Sequence, residues 1–379
     1  MIYFDHNATA PLHPAARDAW LAATEKFIAN PSSPHRLGGR AEKALADARE
    51  QLAGFLGCAA SDIVWTSGAT EANNAVLHHF ASRSDGAGEV WLSAVEHPCL
   101  RDAAERYFPK RHRLIPVPRS GVVDMSWLRR EIVRKRPELV AVMAANNETG
   151  VLQPWREVLT ICREHGVPCF CDAAQWLGKR PARGLGEMDF VSGCAHKFGG
   201  PVGVGFLKCP AKGRMHPLLV GGPQEEGRRA GTENVAGVLA MLAALVARER
   251  LLATDSEQER LLWRTAFETM LSEQLPGTEV VGAGQPRLWN TVCALMPEAD
   301  CQSRLVVKLD KFGFAVSTGS ACASGKEAPS HVMTAMGFTA GEAGRVLRFS
   351  SGWETTEADW QSLIGALRKV SEQALTRHN

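Results

Sequence analysis

The sequence predicts an α/β fold, with a large domain on a mostly parallel β-sheet flanked by helices and a smaller C-terminal α/β domain. Short apolar runs such as residues 63–65 and 90–92 alternate with helical patterns, which is typical of βα units in a sheet buried on both faces. The chain also has 379 residues, more than one ordinary core accommodates. These observations favour two domains, of which the N-terminal one is larger.

The elements of the large domain come first along the chain. Apolar residues at helical spacing predict helices over residues 15–28, 39–56, about 71–81 and 235–252. Short apolar runs predict strands at residues 63–66, 90–92, 139–143, 167–171, 190–191 and 204–207. We therefore place the large domain at residues 14–252.

The smaller domain is predicted from the remaining elements. The helix at 235–252 continues in a polar helical stretch to about residue 273. Beyond it, strands are predicted at residues 279–281, 291–296 and 346–349, followed by a helix at 357–375. We assign residues 1–13 and 253–379 to this domain, which carries a small-residue loop at about 317–330.

Composition argues against several classes of protein. Lys plus Arg number 43 and Asp plus Glu number 41, so the net charge of +2 gives no global field for nucleic acid or an anionic membrane. No apolar stretch approaches membrane-spanning length, and no basic lead precedes an apolar N-terminal segment. The ten cysteines show neither a disulfide framework nor zinc-ligand spacing. We expect a cytoplasmic protein without a metal site.

Two loops of small residues follow predicted strands. In residues 67–71, Ser-Gly-Ala-Thr-Glu, backbone N–H groups such as that of Ala69 and the hydroxyl of Thr70 can bind an anion at a helix N-terminus. Lys197 lies beside His196 in a glycine-containing loop, where a desolvated amine can serve as a Schiff-base nucleophile. Taken singly, each motif is also typical of an ordinary helix cap or a surface lysine.

Polar side chains follow three further strands. Asp172 closes one apolar strand and precedes Gln175, while His97 and Asn147 follow two others. Ligands of open α/β sheets bind at the carboxyl ends of the strands. Asp172 is equally suited to capping the next helix, and the other two stretches are compatible with ordinary turns.

Taken together, these groups match one ligand, pyridoxal 5′-phosphate. The loop at 67–71 suits its phosphate, Lys197 its aldehyde, and Asp172 its ring nitrogen, which the acid would keep protonated so that the ring acts as an electron sink. His97 would stack on the ring, and Gln175 would bind the phenolic oxygen. The predicted phosphate ligands are Thr70, His196 and backbone amides.

Ordered motifs along the chain resemble one family nearly from end to end. They are Tyr-Phe-Asp-His-Asn-Ala-Thr-Ala-Pro at 3–11, Asn-Pro-Ser-Ser at 30–33, Ser-Gly-Ala-Thr-Glu at 67–71, Glu-His at 96–97, Asn-Asn-Glu-Thr-Gly at 146–150, Asp-Ala-Ala-Gln at 172–175, His-Lys at 196–197, Arg-Ala-Gly-Thr at 229–232, Ser-Thr-Gly-Ser-Ala-Cys at 317–322 and Arg-Phe-Ser at 348–350. With these motifs the sequence resembles the NifS/IscS-type cysteine desulfurases. These are fold-type I, class-V aminotransferase-like enzymes that use pyridoxal phosphate.

The resemblance implies a homodimeric enzyme that converts L-cysteine to L-alanine and passes the sulfur to an acceptor protein. It implies that Lys197 binds the cofactor covalently and that His97 accepts a proton. Asn147 and Arg348 are implied to bind the substrate carboxylate. Thr232 is implied to reach the phosphate of the neighbouring subunit.

Cys322 is implied to attack the substrate sulfur and to carry it away as a persulfide. It lies in Ser-Thr-Gly-Ser-Ala-Cys-Ala-Ser-Gly-Lys at 317–326, a run with too little side-chain bulk to fill a core. A loop of about ten residues can span roughly 30 Å when extended, so its thiol can move between substrate and acceptor. The long segment after the thiol resembles the branch that serves iron–sulfur clusters and tRNA thiolation.

The sequence departs from the family pattern at Cys194, Trp353 and Ala10, without loss of a catalytic group, and several alternatives remain. Cys194 stands where the family has a serine that contacts phosphate, and a thiol is the poorer donor. A selenocysteine lyase, a cysteine lyase or an aminotransferase of the same fold would share Lys197 and Asp172 without needing Cys322. A cofactor-binding scaffold without activity is disfavoured, because it has no physical reason to retain Lys197, His97, Asp172 and Cys322 together. The sequence does not distinguish an iron–sulfur scaffold, a tRNA-thiolating enzyme, a sulfur carrier and a DNA phosphorothioation system as the acceptor.

Overall fold

The computed structural model describes residues 1–83, 88–211, 215–254, 256–298, 302–318 and 329–375. The helices are α1 (Pro14–Lys26), α2 (Arg36–Leu56), α3 (Ala69–Arg83), α4 (Pro98–Tyr107), α5 (Met125–Arg134), α6 (Trp155–Glu164), α7 (Val235–Leu252), α8 (Ser256–Gln274), α9 (Gln302–Lys311), α10 (His331–Ala335), α11 (Ala340–Ala343) and α12 (Glu357–Leu375). The strands are β1 (Ile2–Tyr3), β2 (Ile63–Thr66), β3 (Val90–Ser93), β4 (His112–Ile115), β5 (Leu139–Ala141), β6 (Cys169–Asp172), β7 (Phe190–Cys194), β8 (Gly205–Lys208), β9 (Glu279–Val280), β10 (Thr291–Leu295), β11 (Phe314–Ala315) and β12 (Val346–Ser350).

The central sheet has seven strands within the described ranges, in the order β2-β8-β7-β6-β5-β3-β4. The five strands from β7 to β4 are parallel, whereas β8 is antiparallel to both of its neighbours. Because β2 and β7 are each antiparallel to β8, they run in the same direction. The predicted mostly parallel sheet is therefore confirmed, and the ends of β2, β3, β5, β6 and β7 meet at one edge.

Both faces of this sheet are covered by apolar cores. Trp91 packs in one core, whereas its neighbours Val90 and Leu92 pack in the other, since successive side chains of a strand point to opposite faces. All six strands other than β4 are fully buried. This double burial explains why the strands appear in the sequence as continuous apolar runs rather than alternating ones.

The polar continuation of the long helix is a separate helix. α7 ends at Leu252, and the amide of Thr254 bonds the carbonyl of Leu251 in a closing turn before α8 begins. Glu257 and Glu259 lie in the first turn of α8, where acidic residues interact favourably with the helix dipole. The prediction of one continuous helix is wrong at this point.

A second sheet, β12-β10-β9, is antiparallel, and β1 pairs in parallel with β11. The core beside this second sheet contains Phe4 from the N-terminal segment together with Phe267, Phe349 and Trp360. Other residues of this part, such as Val332, pack with the larger core. The two parts therefore share a packed boundary, and the domain limits near residue 252 stay a prediction.

None of the helices in the described part of the chain combines the length and the apolar character needed to cross a membrane.

Candidate active site

A cavity of about 430 Å³ lies where the ends of the parallel strands meet. The predicted site residues that line it are Ala69, Thr70, His97, Asn147, Asp172, Gln175, Cys194, His196, Lys197 and Arg348. Thr232 is exposed and does not line this cavity. Cys322 lies outside the described residues. The structure thus brings together residues that are spread over most of the sequence.

Lys197 lies in a short 3₁₀ turn directly after β7. Its Nζ donates to the main-chain oxygens of Asn7 and Ala8, each at 2.7 Å. The Asn7 amide in turn donates to the carbonyl of Asn147 at 3.2 Å and to the hydroxyl of Thr291 at 2.9 Å. The N-terminal segment therefore forms one wall of the cavity and holds the lysine amine in place.

Asp172 ends β6 and is only 6% exposed. Its two oxygens accept hydrogen bonds from the Asn73 amide at 2.8 Å and from the backbone N–H of Ala174 at 2.9 Å. A buried carboxylate needs such donors, because burial without them would be costly. The two donors thus fix the orientation of the Asp172 side chain at the cavity wall.

The loop before α3 packs closely against β8. A Cβ on Gly205 would lie 2.6 Å from the Cα of Gly68, so only glycine allows this approach. The N–H of Ser67 is bonded by the Glu71 carboxylate at 2.8 Å. The N–H of Ala69 interacts with the thiol of Cys194. Cys194 therefore lies in the cavity beside the start of α3, and its contact with a phosphate stays a prediction.

Burial controls the protonation of the side chains around this cavity. It lowers the pKa of His196 to about 4, together with a smaller effect of the nearby Lys197. Burial likewise lowers the pKa of His97, although Asp172 acts in the opposite direction. Burial raises the pKa of the Cys194 thiol to about 11. Both imidazoles and this thiol are therefore neutral near pH 7.

Arg348 lies on β12 and is 1% exposed. Its guanidinium donates to the Asp5 carboxylate at 2.6 Å and to the carbonyl of Asn147 at 3.0 Å. The Asn147 side-chain oxygen is buried without a hydrogen-bond partner among the described residues. A fixed guanidinium beside this amide is suited to binding a carboxylate.

The described residues on either side of Cys322 are both anchored at the cavity. Ser317 exchanges two backbone hydrogen bonds with Arg348, at 3.2 and 2.8 Å. On the other side, the Ser330 hydroxyl donates to the Glu148 carboxylate at 2.6 Å. Since Arg348 and Glu148 both line the cavity, the chain enters and leaves the segment at 319–328 beside the site.

Sequence reasoning missed three residues that support the site: Asn7, Asn73 and Lys179. The side chain of Lys179 is buried, and this burial lowers the pKa of its amine well below the ordinary value. Its Nζ donates to the side-chain oxygens of Asn7, at 3.2 Å, and of Gln175. Gln175 also donates to the Asn7 carbonyl at 2.9 Å. A lysine four residues after Gln175, directly after the apolar run Trp-Leu-Gly at 176–178, was the available signal.

Glu96 is fully buried beside the site, and burial raises the pKa of its carboxyl well above the ordinary value, with Asp172 adding to the effect. The folded chain therefore keeps a proton that the unfolded chain releases above about pH 4.3. The contribution of Glu96 to the free energy of unfolding is fully present below that pH and falls as the pH rises toward the folded-state pKa. We expect Glu96→Gln, which cannot ionise, to lose less stability between pH 5 and 8, by about 1.4 kcal/mol for each pH unit of this window that lies below the folded-state pKa.

Urea unfolding of both proteins at a series of pH values measures this difference. Glu25→Gln, at an exposed position on α1, is the control for the loss of one negative charge. Equal pH dependence in wild type and Glu96→Gln would contradict a protonated Glu96.

Residues 2–363 match the model of the aminotransferase class-V family. A cysteine desulfurase of Enterobacter agglomerans is 38% identical over 94% of this chain and 89% of its own length. The cysteine desulfurase IscS of Dictyoglomus turgidum is 34% identical over 99% of this chain and 95% of its own length. The X-ray structure of a NifS-like protein from Rickettsia africae superposes with a TM-score of 0.88, at 29% identity, over 98% of this chain and 99% of that one.

Proposed function

The chain belongs to the cysteine desulfurases of the aminotransferase class-V family, and we propose that it works with pyridoxal 5′-phosphate bound at Lys197 and with Cys322 as the sulfur-accepting thiol. The observation that carries this proposal is the single cavity that collects an amine, a buried carboxylate, an imidazole and a helix N-terminus. The overall reaction converts L-cysteine to L-alanine.

The residues that line the cavity fit this cofactor chemically. Lys197 offers an amine for the aldehyde, and Asp172 offers a carboxylate already held by two donors. The start of α3, with Thr70 and the neutral His196, offers donors for a phosphate. When bound, the cofactor supplies an electron sink that makes the bonds at the substrate α- and β-carbons labile.

Cys194 weakens one part of this phosphate site. Its thiol interacts with the N–H of Ala69, in the position that a hydroxyl would use as a phosphate donor. A hydrogen bond to a charged group contributes about 1.5–3 kcal/mol, and a thiol contributes less than a hydroxyl. The remaining donors retain the cofactor, and covalent attachment at Lys197 supports it further.

The substrate carboxylate is placed by Arg348 and Asn147. The ion pair with Asp5 fixes the guanidinium before substrate arrives, so little side-chain freedom is lost on binding. The unpartnered side-chain oxygen of Asn147 belongs to an amide whose NH₂ group can donate to the substrate. Together they orient the α-carbon of L-cysteine toward the amine of Lys197.

We expect Arg348→Lys to raise KM for L-cysteine by about 10- to 100-fold, because one charged hydrogen bond to the substrate is lost. The value of kcat should change much less. Steady-state kinetics measures both, and Arg345→Lys on the same segment is the matched control, since Arg345 bonds the Met296 carbonyl away from the cavity. An unchanged KM in Arg348→Lys would show that Arg348 does not bind the substrate.

Delivery of sulfur depends on Cys322. It follows Ser317 by five residues, so its Cα lies within about 18 Å of that of Ser317 however the chain is arranged. Ser317 itself is paired with Arg348 at the cavity. This tether supports attack by the Cys322 thiolate on the substrate sulfur, in which a sulfur–sulfur bond forms as the substrate carbon–sulfur bond breaks and alanine is left.

We further propose a cytoplasmic homodimer in which Thr232 contacts the phosphate bound by the other subunit. Within one chain the Thr232 loop is tied to the start of α3 by the ion pair of Arg229 with Glu71, at 2.9 Å. Its exposed position supports contact with a second copy. The acceptor is proposed to be an iron–sulfur scaffold, a tRNA-thiolating enzyme or a sulfur carrier.

Product analysis tests the proposed function. Purified protein loaded with pyridoxal 5′-phosphate is supplied with L-cysteine and a reductant, and alanine, pyruvate and sulfide are measured together. Equal amounts of alanine and sulfide are the expected result. Pyruvate in place of alanine would identify a cysteine lyase, and release of an α-keto acid that retains the sulfur would identify an aminotransferase.

A further inference from the structure

His97 caps α4 with its own ring. The Nδ1 atom accepts a hydrogen bond from the backbone N–H of Cys99 at 3.2 Å. A backbone amide only donates, so Nδ1 must carry a lone pair and not a proton. The neutral ring then has its hydrogen on Nε2.

The thiol of Cys99 strengthens this arrangement. Its Sγ lies 3.0 Å from the same Nδ1, and it accepts from the Asn73 amide at 3.1 Å. The Thr70 hydroxyl bonds the sulfur as well. Burial raises the pKa of the Cys99 thiol to about 12, so the sulfur keeps its proton near pH 7. With two donors directed at the sulfur, its own hydrogen is left to donate to Nδ1.

We propose that Cys99 is a positioning residue that holds His97 in the neutral form with its proton on Nε2. Two donors from one residue, the N–H and the S–H, both favour the lone pair at Nδ1. A protonated Nδ1 would instead face the N–H of Cys99, so the same geometry opposes the imidazolium.

This arrangement has a consequence for proton transfer that rests on the proposed function. The Nε2 atom has a proton to give and no lone pair with which to take one. His97 therefore acts first as a donor at Nε2, and it accepts a proton there only after giving one up. The expectation from the sequence that His97 accepts a proton does not fit this tautomer as the first step.

Other titratable groups also act on His97. Asp172 and Asp102 favour the imidazolium and Lys197 opposes it. His196 and His331 also lie close enough to interact with the ring. These groups stay in place when only the Cys99 side chain is changed, so a difference between Cys99 variants reports on the thiol.

The test is ¹⁵N NMR of histidine-labelled holoenzyme, with the His97 signals assigned by their loss in His97→Gln. Wild type should show a pyridine-type Nδ1 and a pyrrole-type Nε2. Cys99→Ala should raise the pKa of His97 by about 0.5–1 pH unit, because one hydrogen bond to the neutral ring is lost. Cys99→Ser retains a hydrogen-bond donor to Nδ1, so the pKa of His97 in this variant should lie at or below the wild-type value.

The proposal would be overturned by a pyrrole-type Nδ1 in wild type. It would also be overturned by equal pKa values of His97 in Cys99→Ala and Cys99→Ser. The acid limb of the kcat/KM profile should move with the NMR titration. If the His97 pKa measured by NMR shifts in Cys99→Ala but the acid limb of the kcat/KM profile does not move, the tautomer is supported and its role in the reaction is overturned. Neither NMR result depends on which products the enzyme forms.

Discussion

Lys197→Ala is expected to lack the yellow absorption of the bound cofactor and to turn over L-cysteine about 10⁴-fold more slowly than wild type. The substitution removes the amine that joins the cofactor and that moves protons at the substrate carbon. No other lysine lines the cavity among the described residues. Lys179, although close, is occupied by the oxygens of Asn7 and Gln175 and lies behind the cavity wall.

The matched control for this variant is Lys208→Met. Lys208 is also buried, but its amine bonds the carbonyl of Met188 at 2.7 Å, away from the cavity. It should retain the absorption when supplied with pyridoxal 5′-phosphate. Absorption that persists in Lys197→Ala and is lost in Lys208→Met would move the cofactor site elsewhere.

Cys322→Ser is expected to bind the cofactor and L-cysteine normally while its release of sulfur falls by about 10³-fold or more. The serine hydroxyl attacks sulfur much less readily than the thiolate of cysteine does. The absorption spectrum should therefore still change on addition of L-cysteine. Sulfide and alanine production are measured in parallel with the spectrum.

Cys58→Ser provides the control for the loss of a thiol. Cys58 is half-buried, and burial raises its pKa to about 11, so it is a poor nucleophile near pH 7. This variant should match wild type in both sulfide and alanine. Wild-type rates in Cys322→Ser would show that another group accepts the sulfur.

The sequence predicts those strands that are buried on both faces. The strand at Ile63–Thr66 and its partners appear as apolar runs because both faces are covered by cores. The edge strand β4 was not predicted, since it begins with the half-buried His112 and Arg113, which break the apolar run. Helices α4 and α5, of ten residues each, were also too short to give a clear periodic signal.

Most of the site could be predicted because its residues follow strand ends. Parallel strands end at one edge, so Asp172, His97 and Lys197 meet although they lie far apart in sequence. Partners that are fixed only by tertiary packing gave no such signal. Asn7 bonds Thr291 across 284 positions, and Asn73 bonds Asp172 across 99, so their roles depend on the folded chain.

The central claim is that sulfur from L-cysteine passes to Cys322. The measurement that tests it most directly is peptide mass spectrometry of wild-type holoenzyme incubated with L-cysteine and no reductant, with alanine measured alongside. The account predicts one extra sulfur atom on the peptide that contains Cys322, accompanied by an equal amount of alanine. An unmodified Cys322 together with pyruvate or transamination products would contradict it.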